Sequence, residues 1–292
     1  MRKSYLPNVY FKINSLGIEN IDKTKTNIVT WDIRRWNLKY SFDNKNWSTV
    51  DQSAVVNNKC SVNFTDNIYL KAIDNEHQIN YDIQYAMIVT TLSCNLSGDI
   101  YSLDHTGNYN KNISLRSTEY ANIFNSCPVV DASRLILYAA TVPSNGYAQM
   151  FYNCTLLQAA PELRATTLNN YCYADMFRGC TSLQIPPKLP VTTLAEGCYS
   201  RMFYSSGLTV LPVLPATELA DNCYKSMFHA CNNIKLSTTQ TSTYVNEYRI
   251  PTSGTITVRG SNDVTDMFAY TGGSFKGTPT VETTYYTSNE II

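Results

Sequence analysis

A Met-Phe pair that keeps returning constrains this chain more than any other feature. Met150-Phe151, Met176-Phe177, Met202-Phe203, Met227-Phe228 and Met267-Phe268 carry it, and Ile123-Phe124 is a degenerate first copy. By subtraction the steps are 27, 26, 26, 25 and then 40 residues. Four near-equal steps and one long one predict a stack of similar units with an irregular end. No such unit can bury its apolar face alone, so neighbours and end caps are required.

One unit reads "MFYNCTLLQAAPELRATTLNNYCYAD". After Met-Phe come Cys154, Leu157, Pro161, Leu163, a Thr-Thr-Leu stretch and a Cys-Tyr pair; Cys180, Leu183, Pro187, Leu189 and Cys198-Tyr199 repeat the order. The third copy keeps Leu208, Pro212, Leu214 and Cys223-Tyr224. Thr-Thr or Thr-Glu before an apolar face has the form of a helix start. The pattern predicts a short extended segment around Leu-x-x-x-Pro-x-Leu, then a short helix ending near Met-Phe. The prolines confine any strand there to roughly two to four residues. If each unit adds one strand to a ladder, it advances about 4.8 Å.

Nine cysteines raise three readings: metal, disulfide or packing. Zinc sites want cysteines two to four apart with further Cys or His ligands. No Cys-x-x-Cys occurs, and the histidines are His77, His105 and His229. Nine is an odd number for a disulfide ladder, Ser206 stands where Cys154, Cys180 and Cys231 stand in other copies, and no export signal accompanies the thiols. Cys172 and Cys198 each lie four residues before the Met of their unit, a spacing that shares one face of a helix. Buried, reduced thiols acting as small apolar spacers fit best.

Residues 1–98 lack the repeat. "NLKYSFDNKNWSTV" alternates around an Asp43-Asn44-Lys45-Asn46 turn and predicts a hairpin. "VYFKI", "NIVTWDI", "KCSVNF", "NIYLKAI" and "YAMIVTTLSC" add short strands, the pattern of a β-sandwich. Trp36 and Trp47 are expected in core or hairpin packing. The expected order is a sandwich over 1–98, a linker and cap over 99–122, a solenoid over 123–236 and a Thr-rich β cap over 237–292. The fold class is mainly β with short helices.

Lys+Arg and Asp+Glu are both 23, so no net charge favours nucleic acid or an anionic membrane. No run approaches the ~18–20 apolar residues of a membrane span. The first residues show neither an apolar core nor a cleavage site, which predicts no export by the usual route. No G-x-S-x-G, H-E-x-x-H or Walker loop appears, and Asp104-His105 sits in a polar link. The register of Glu162 becomes Lys188 and then Val213, as on an outward surface. No catalytic residue, metal site or cofactor is expected. The residue after each Met-Phe is more telling: Tyr152, Arg178, Tyr204 and His229 fall in register and predict a surface column able to meet a sugar or a protein. Tyr147, Tyr173, Tyr199 and Tyr224 recur unchanged and predict packing.

The order "MF-x-x-C-T-x-L … P-x-L-P-x-T-T-L … C-Y-x-x-MF" resembles the BspA-like leucine-rich repeat family, in the Cys/Tyr-rich form found in gut Bacteroidales and their crAss-like phages. It covers about 123–236. The order "LKYSFDNKNW … IYLKAID … CNLSGDIYSL" resembles the immunoglobulin-like module that precedes such repeats in phage proteins. The resemblance implies a leucine-rich-repeat-like slab and surface attachment, not catalysis. It leads to the expectation of a phage virion structural protein, an appendage or decoration subunit. Its sandwich would dock to other virion proteins, and its slab would face host polysaccharide or protein. The alternative is an exported bacterial surface adhesin of the same family. Self-association is left open, as is head against tail.

Overall fold

A computed structural model describes residues 15–33, 38–73, 87–103, 115, 117–234 and 257–271. Over these residues the protein is mainly β, with several open sheets and almost no helix. The strands are β1 (Leu16–Asn20), β2 (Asn27–Asp32), β3 (Leu38–Ser41), β4 (Ser48–Thr49), β5 (Lys59–Phe64), β6 (Asn67–Ala72), β7 (Ile88–Thr90), β8 (Cys94–Asp99), β9 (Val129–Ile136), β10 (Thr141–Val142) and β11 (Thr167–Leu168). Short 3₁₀ turns occupy Gln52–Ala54 and Ile100–Leu103.

Six strands form one sheet in the order β4-β3-β6-β1-β8-β9, and three form another, β5-β2-β7. Alternation explains both. Ile68, Leu70 and Ala72 of β6 point inward, as do Val29 and Trp31 of β2, while the residues between are half-exposed. Leu16, Ile18, Leu70 and Leu96 of the larger sheet share one buried cluster with Val29, Trp31, Phe64 and Ile88 of the smaller. Each such side chain stabilises the fold by about 1.5–3 kcal/mol.

The expected hairpin is β3–β4, with Lys39 opposite Thr49 and Tyr40 opposite Ser48. The Asp43 carboxylate organises its loop, accepting from the backbone N–H groups of Lys45 and Asn46 and from Ser41 Oγ. Those donors hold its pKa well below the usual carboxylate value, the Asn46 and Lys45 amides contributing most. "VYFKI", Trp36, His77 and Asp104-His105 lie outside the described residues. Trp47 is half-buried beneath Lys71, whose Nζ lies 3.8 Å from the ring centroid. Among the described residues, the tryptophan in the core is Trp31.

The repeat is built differently. In its second unit, Ala148, Met150, Tyr152 and Cys154 donate N–H groups three residues back, to the carbonyls of Asn145, Tyr147, Gln149 and Phe151. The residues between donate outward instead. Asn145, Tyr147, Gln149, Phe151 and Asn153 bond the carbonyls of Asn170, Cys172, Ala174, Met176 and Arg178 in the next unit. Backbone donors thus alternate between a local turn and a neighbouring copy, as the desolvated backbone requires.

This is where the expected short helices fail. An α-helix bonds four residues back with φ near −63° throughout. Here every fourth residue has a positive φ: Asn145, Gln149 and Asn153 at 56°, 57° and 56°, then Tyr171, Asp175 and Gly179 at 55°, 54° and 73°. That sign at the third position of a four-residue turn belongs to type II turns, so the segment is a string of overlapping turns. Inward Tyr147, Met150, Phe151 and Cys154 are spaced three, one and three apart. Over so short a span, this four-residue turn repeat gives the same signal as a 3.6-residue helix.

The expected extended segment carries a single parallel bridge, Asp131–Ala159, but the two-residue paired strand sits elsewhere. Thr167–Leu168 of the Thr-Thr-Leu stretch pairs in parallel with Thr141–Val142, and single bridges continue at Thr193–Glu218 and Glu218–Val258. Residues 257–271 resume the ladder after the long step: Tyr224, Ser226 and Phe228 donate to the carbonyls of Asp263, Thr265 and Met267. At the other end β9, part of the first unit, pairs in parallel with β8 and carries the sheet into the stack.

Inside the stack, like lies on like. Phe124, Phe151, Phe177, Phe203, Phe228 and Phe268 form a column with centroid steps of 5.6, 5.7, 5.7, 5.8 and 5.3 Å. Tyr147, Tyr173, Tyr199 and Tyr224 form a second, as expected, and Tyr120 begins it 6.2 Å from Tyr147. All nine cysteines are buried and unpaired. Cys154, Cys180 and Cys231 donate S–H to the carbonyls of Phe124, Phe151 and Phe203.

Candidate functional site

On the outer side of the turns, the residue after each Phe emerges in line because successive units are joined amide by amide. Arg178 lies between two tyrosines, its guanidinium carbon 5.6 Å from the Tyr152 ring centroid and 4.4 Å from that of Tyr204. His229 stacks on the other face of Tyr204 at 4.3 Å and 10°. The structure therefore brings Tyr152, Arg178, Tyr204 and His229 into one column. Tyr270 extends it, tilted over His229 at 4.9 Å and 77% exposed.

The sequence register alone does not reveal Tyr270. In the last unit the position after Phe268 is Ala269, and the ring comes from one residue further, at a positive-φ position. Also missed was the anchor beside the column. Asp175 is buried, with its side chain 4% exposed; it accepts from Arg178 Nη1 at 3.2 Å and from both Nε and Nη2 of Arg201 at 3.0–3.1 Å. Asp175 and Arg201 each precede the Met of their unit, so opposite charges one unit apart were a readable signal.

The stacking changes what the column can do. Both faces of Tyr204 are already covered, one by Arg178 and one by His229. At the centre of the column no face of Tyr204 is therefore left open to a ligand. What the column offers outward is its edges: phenol hydroxyls, the guanidinium and the imidazole. Burial pushes the His229 pKa below its ordinary value, and nearby Arg178 adds to that, while Asp266 opposes it. His229 Nδ1 is buried with no hydrogen-bond partner.

Among the described residues, no group of three or more His, Cys, Asp or Glu could hold a metal ion, and no helix is long and apolar enough to cross a membrane. Burial raises the thiols of the later units, Cys198 to about 12 and Cys231 to about 11, so these are poor nucleophiles at neutral pH. An open depression of about 460 Å³ lies beside β5 and β6, lined by Thr26, Phe42 and Asn63–Asn67. Its one carboxylate, Asp66, is paired with Lys23 at 2.6 Å. Glu162 is exposed and pairs with Arg164 on the outer surface.

No family model, curated protein or solved structure matches the chain. The functional reading therefore rests on the residues and their geometry.

Proposed function

We propose that this chain is a non-enzymatic structural protein of a phage virion, a β-sandwich followed by a leucine-rich-repeat-like solenoid that displays a binding surface. The sandwich docks to other virion proteins, and the repeat face engages host-surface polysaccharide or protein. The observation that carries this reading is the column of Tyr152, Arg178, Tyr204, His229 and Tyr270. Five planar side chains held edge-outward by a hydrogen-bonded backbone lose little rotamer freedom on binding, so contacts made there cost little entropy. Tyr and Arg are also the residue types enriched at the centres of interfaces. With the inner faces covered, recognition proceeds through hydrogen bonds to the edges, which suits glycan hydroxyls or a partner's polar groups.

The test is binding of purified protein to intact gut Bacteroidales cells with and without capsule. A variant with Tyr152, Arg178, Tyr204 and His229 all changed to Ala serves as control, its fold checked by circular dichroism. Capsule-dependent binding that the variant loses supports the reading. Wild-type binding that the variant retains places the site elsewhere, and no binding to any strain overturns host attachment.

A further inference from the structure

Two of the nine thiols stand apart from the rest. Cys94 opens β8 in the six-stranded sheet, and Cys127 ends the string of turns in the first repeat unit. The backbone brings them near one another: Cys94 is in register with Val129 of β9, two residues beyond Cys127, and its N–H donates to the Pro128 carbonyl at 3.2 Å. A register irregularity follows immediately, between Cys94 and Asn95. Both thiols contact one hydroxyl, Thr90 Oγ1, at 3.4 Å from Cys94 Sγ and 3.6 Å from Cys127 Sγ. Other thiols of the stack are differently engaged. Cys154, Cys180 and Cys231 donate to backbone carbonyls, and Cys60 lies in β5 across from Trp31.

We propose that Cys94 and Cys127 are a disulfide-forming pair that locks the N-terminal sheet to the first unit of the repeat stack. The reaction is a two-electron exchange with a low-molecular-weight disulfide such as oxidised glutathione. The Thr90 hydroxyl reaches both sulfurs, so either can attack first. When the attacker is Cys127, its thiolate displaces one glutathione thiolate and forms a mixed disulfide. The Cys94 sulfur, giving up its proton, then displaces the second, leaving one Cys94–Cys127 bond and two molecules of reduced glutathione. Because both sulfurs are buried, the reagent enters only when β9, the last strand of the sheet and itself bridged to Ala159 of the next unit, lifts from the β8 edge. Exchange should accordingly be slow in the fully folded protein and faster under conditions that loosen that edge.

The bond would close a loop of 33 residues (127 − 94) and add a covalent cross-link where the two regions now meet through the β8–β9 pairing. The test equilibrates the full chain in reduced-to-oxidised glutathione series, quenches with acid, alkylates free thiols and maps linked peptides by mass spectrometry. We expect a loss of two hydrogens, a single Cys94–Cys127 linkage, and a Tm higher than that of the reduced protein by roughly 5 °C or more. Cys94→Ser and Cys127→Ser should each abolish the linkage and the Tm rise, while Cys60→Ser keeps both. Should either serine variant fail to fold, wild-type linkage mapping and its Tm still decide the matter. No Cys94–Cys127 linkage across the series, equal linkage among other cysteines, or a linkage that leaves Tm unchanged would overturn the proposal.

Discussion

The two halves of this molecule satisfy the same backbone with opposite devices. In the N-terminal sheets, strands far apart in sequence pair antiparallel, as β1 does with β6 and β8, and side chains alternate in and out. In the repeat stack, each turn bonds the turn about 26 residues later, and side chains of one type lie over their own kind. Sheet register is protected by alternation, since a one-residue slip would expose every inward side chain. Stack register is protected by a backbone that accepts positive φ at Tyr171, Arg201 and Thr118, each a strain of about 1–3 kcal/mol. The strain persists because each of these residues donates its N–H to the neighbouring copy: Tyr171 to Glu196, Arg201 to Lys225, Thr118 to Ser144. The difference teaches that an exposed column can be fixed without strands or helices, provided adjacent turns share hydrogen bonds.

The sharpest way to break the comparison is with one methyl group in each half. A Cβ on Gly207 would lie 2.0 Å from the Thr181 carbonyl oxygen, which belongs to the neighbouring unit's backbone. A Cβ on Gly17, in β1, would meet the Ser97 hydroxyl at 2.7 Å, the end of a side chain that can rotate. Gly207→Ala should therefore cost about 3 kcal/mol and Gly17→Ala about 1 kcal/mol in denaturant unfolding. Equal costs would mean that the stack yields as readily as the sheet.

Asp175→Asn comes next. It removes a buried carboxylate that gathers Arg178 and Arg201, and since both arginines keep substantial solvent contact the expected loss is about 1 kcal/mol. If the column binds a partner as proposed, the same change should weaken that binding, because Arg178 loses the contact that orients it.

A smaller effect should change sign between the halves. Ala230 has φ of 58° with no side-chain role beyond its methyl, so Ala230→Gly relieves strain and should leave the protein unchanged or stabilised by up to about 1 kcal/mol. Val29→Gly in β2 empties a fully buried site and should destabilise clearly. Calorimetric Tm values decide between them.

The smallest expected effect is electrostatic. His229 is neutral more readily in the fold than in the unfolded chain, so its folded pKa lies below the unfolded value near 6.5. The unfolded state then binds the proton first, and this contribution, present above about pH 6.5, is lost as pH falls toward the folded pKa. His229→Gln should flatten the decline in Tm between about pH 7 and pH 5 relative to wild type. An unchanged slope would show that the imidazole is not held neutral in the column.

What was readable beforehand follows the same division. Strands β2, β3, β5 and β6 announced themselves by alternation, because antiparallel strands with one wet face must alternate. β1 did not, although it sits inside the six-stranded sheet. Only Leu16 and Ile18 are apolar there, and its remaining sites are Gly17, which lets Tyr69 and Ser97 approach, with Glu19 and the buried Asn20. In the stack, the repeat gave the column's register at once, since equivalent positions must align. It did not give the conformation, because inward residues spaced like Tyr147, Met150, Phe151 and Cys154 suit a helix equally well. Positive φ at residues as ill-suited as Tyr171 and Arg201 leaves no compositional trace. Nor does the register show that Arg178 and His229 cover Tyr204 from both sides, which only three dimensions reveal.

The central claim is that unit-to-unit hydrogen bonds, rather than a helix, set the register of the exposed column. It is tested most directly by scalar coupling across hydrogen bonds in isotope-labelled protein. The ladder predicts a coupling from the Phe151 amide nitrogen to the Met176 carbonyl carbon, matching the 3.0 Å bond between them. A coupling from Phe151 to the Tyr147 carbonyl, four residues back, would contradict it and restore the helix.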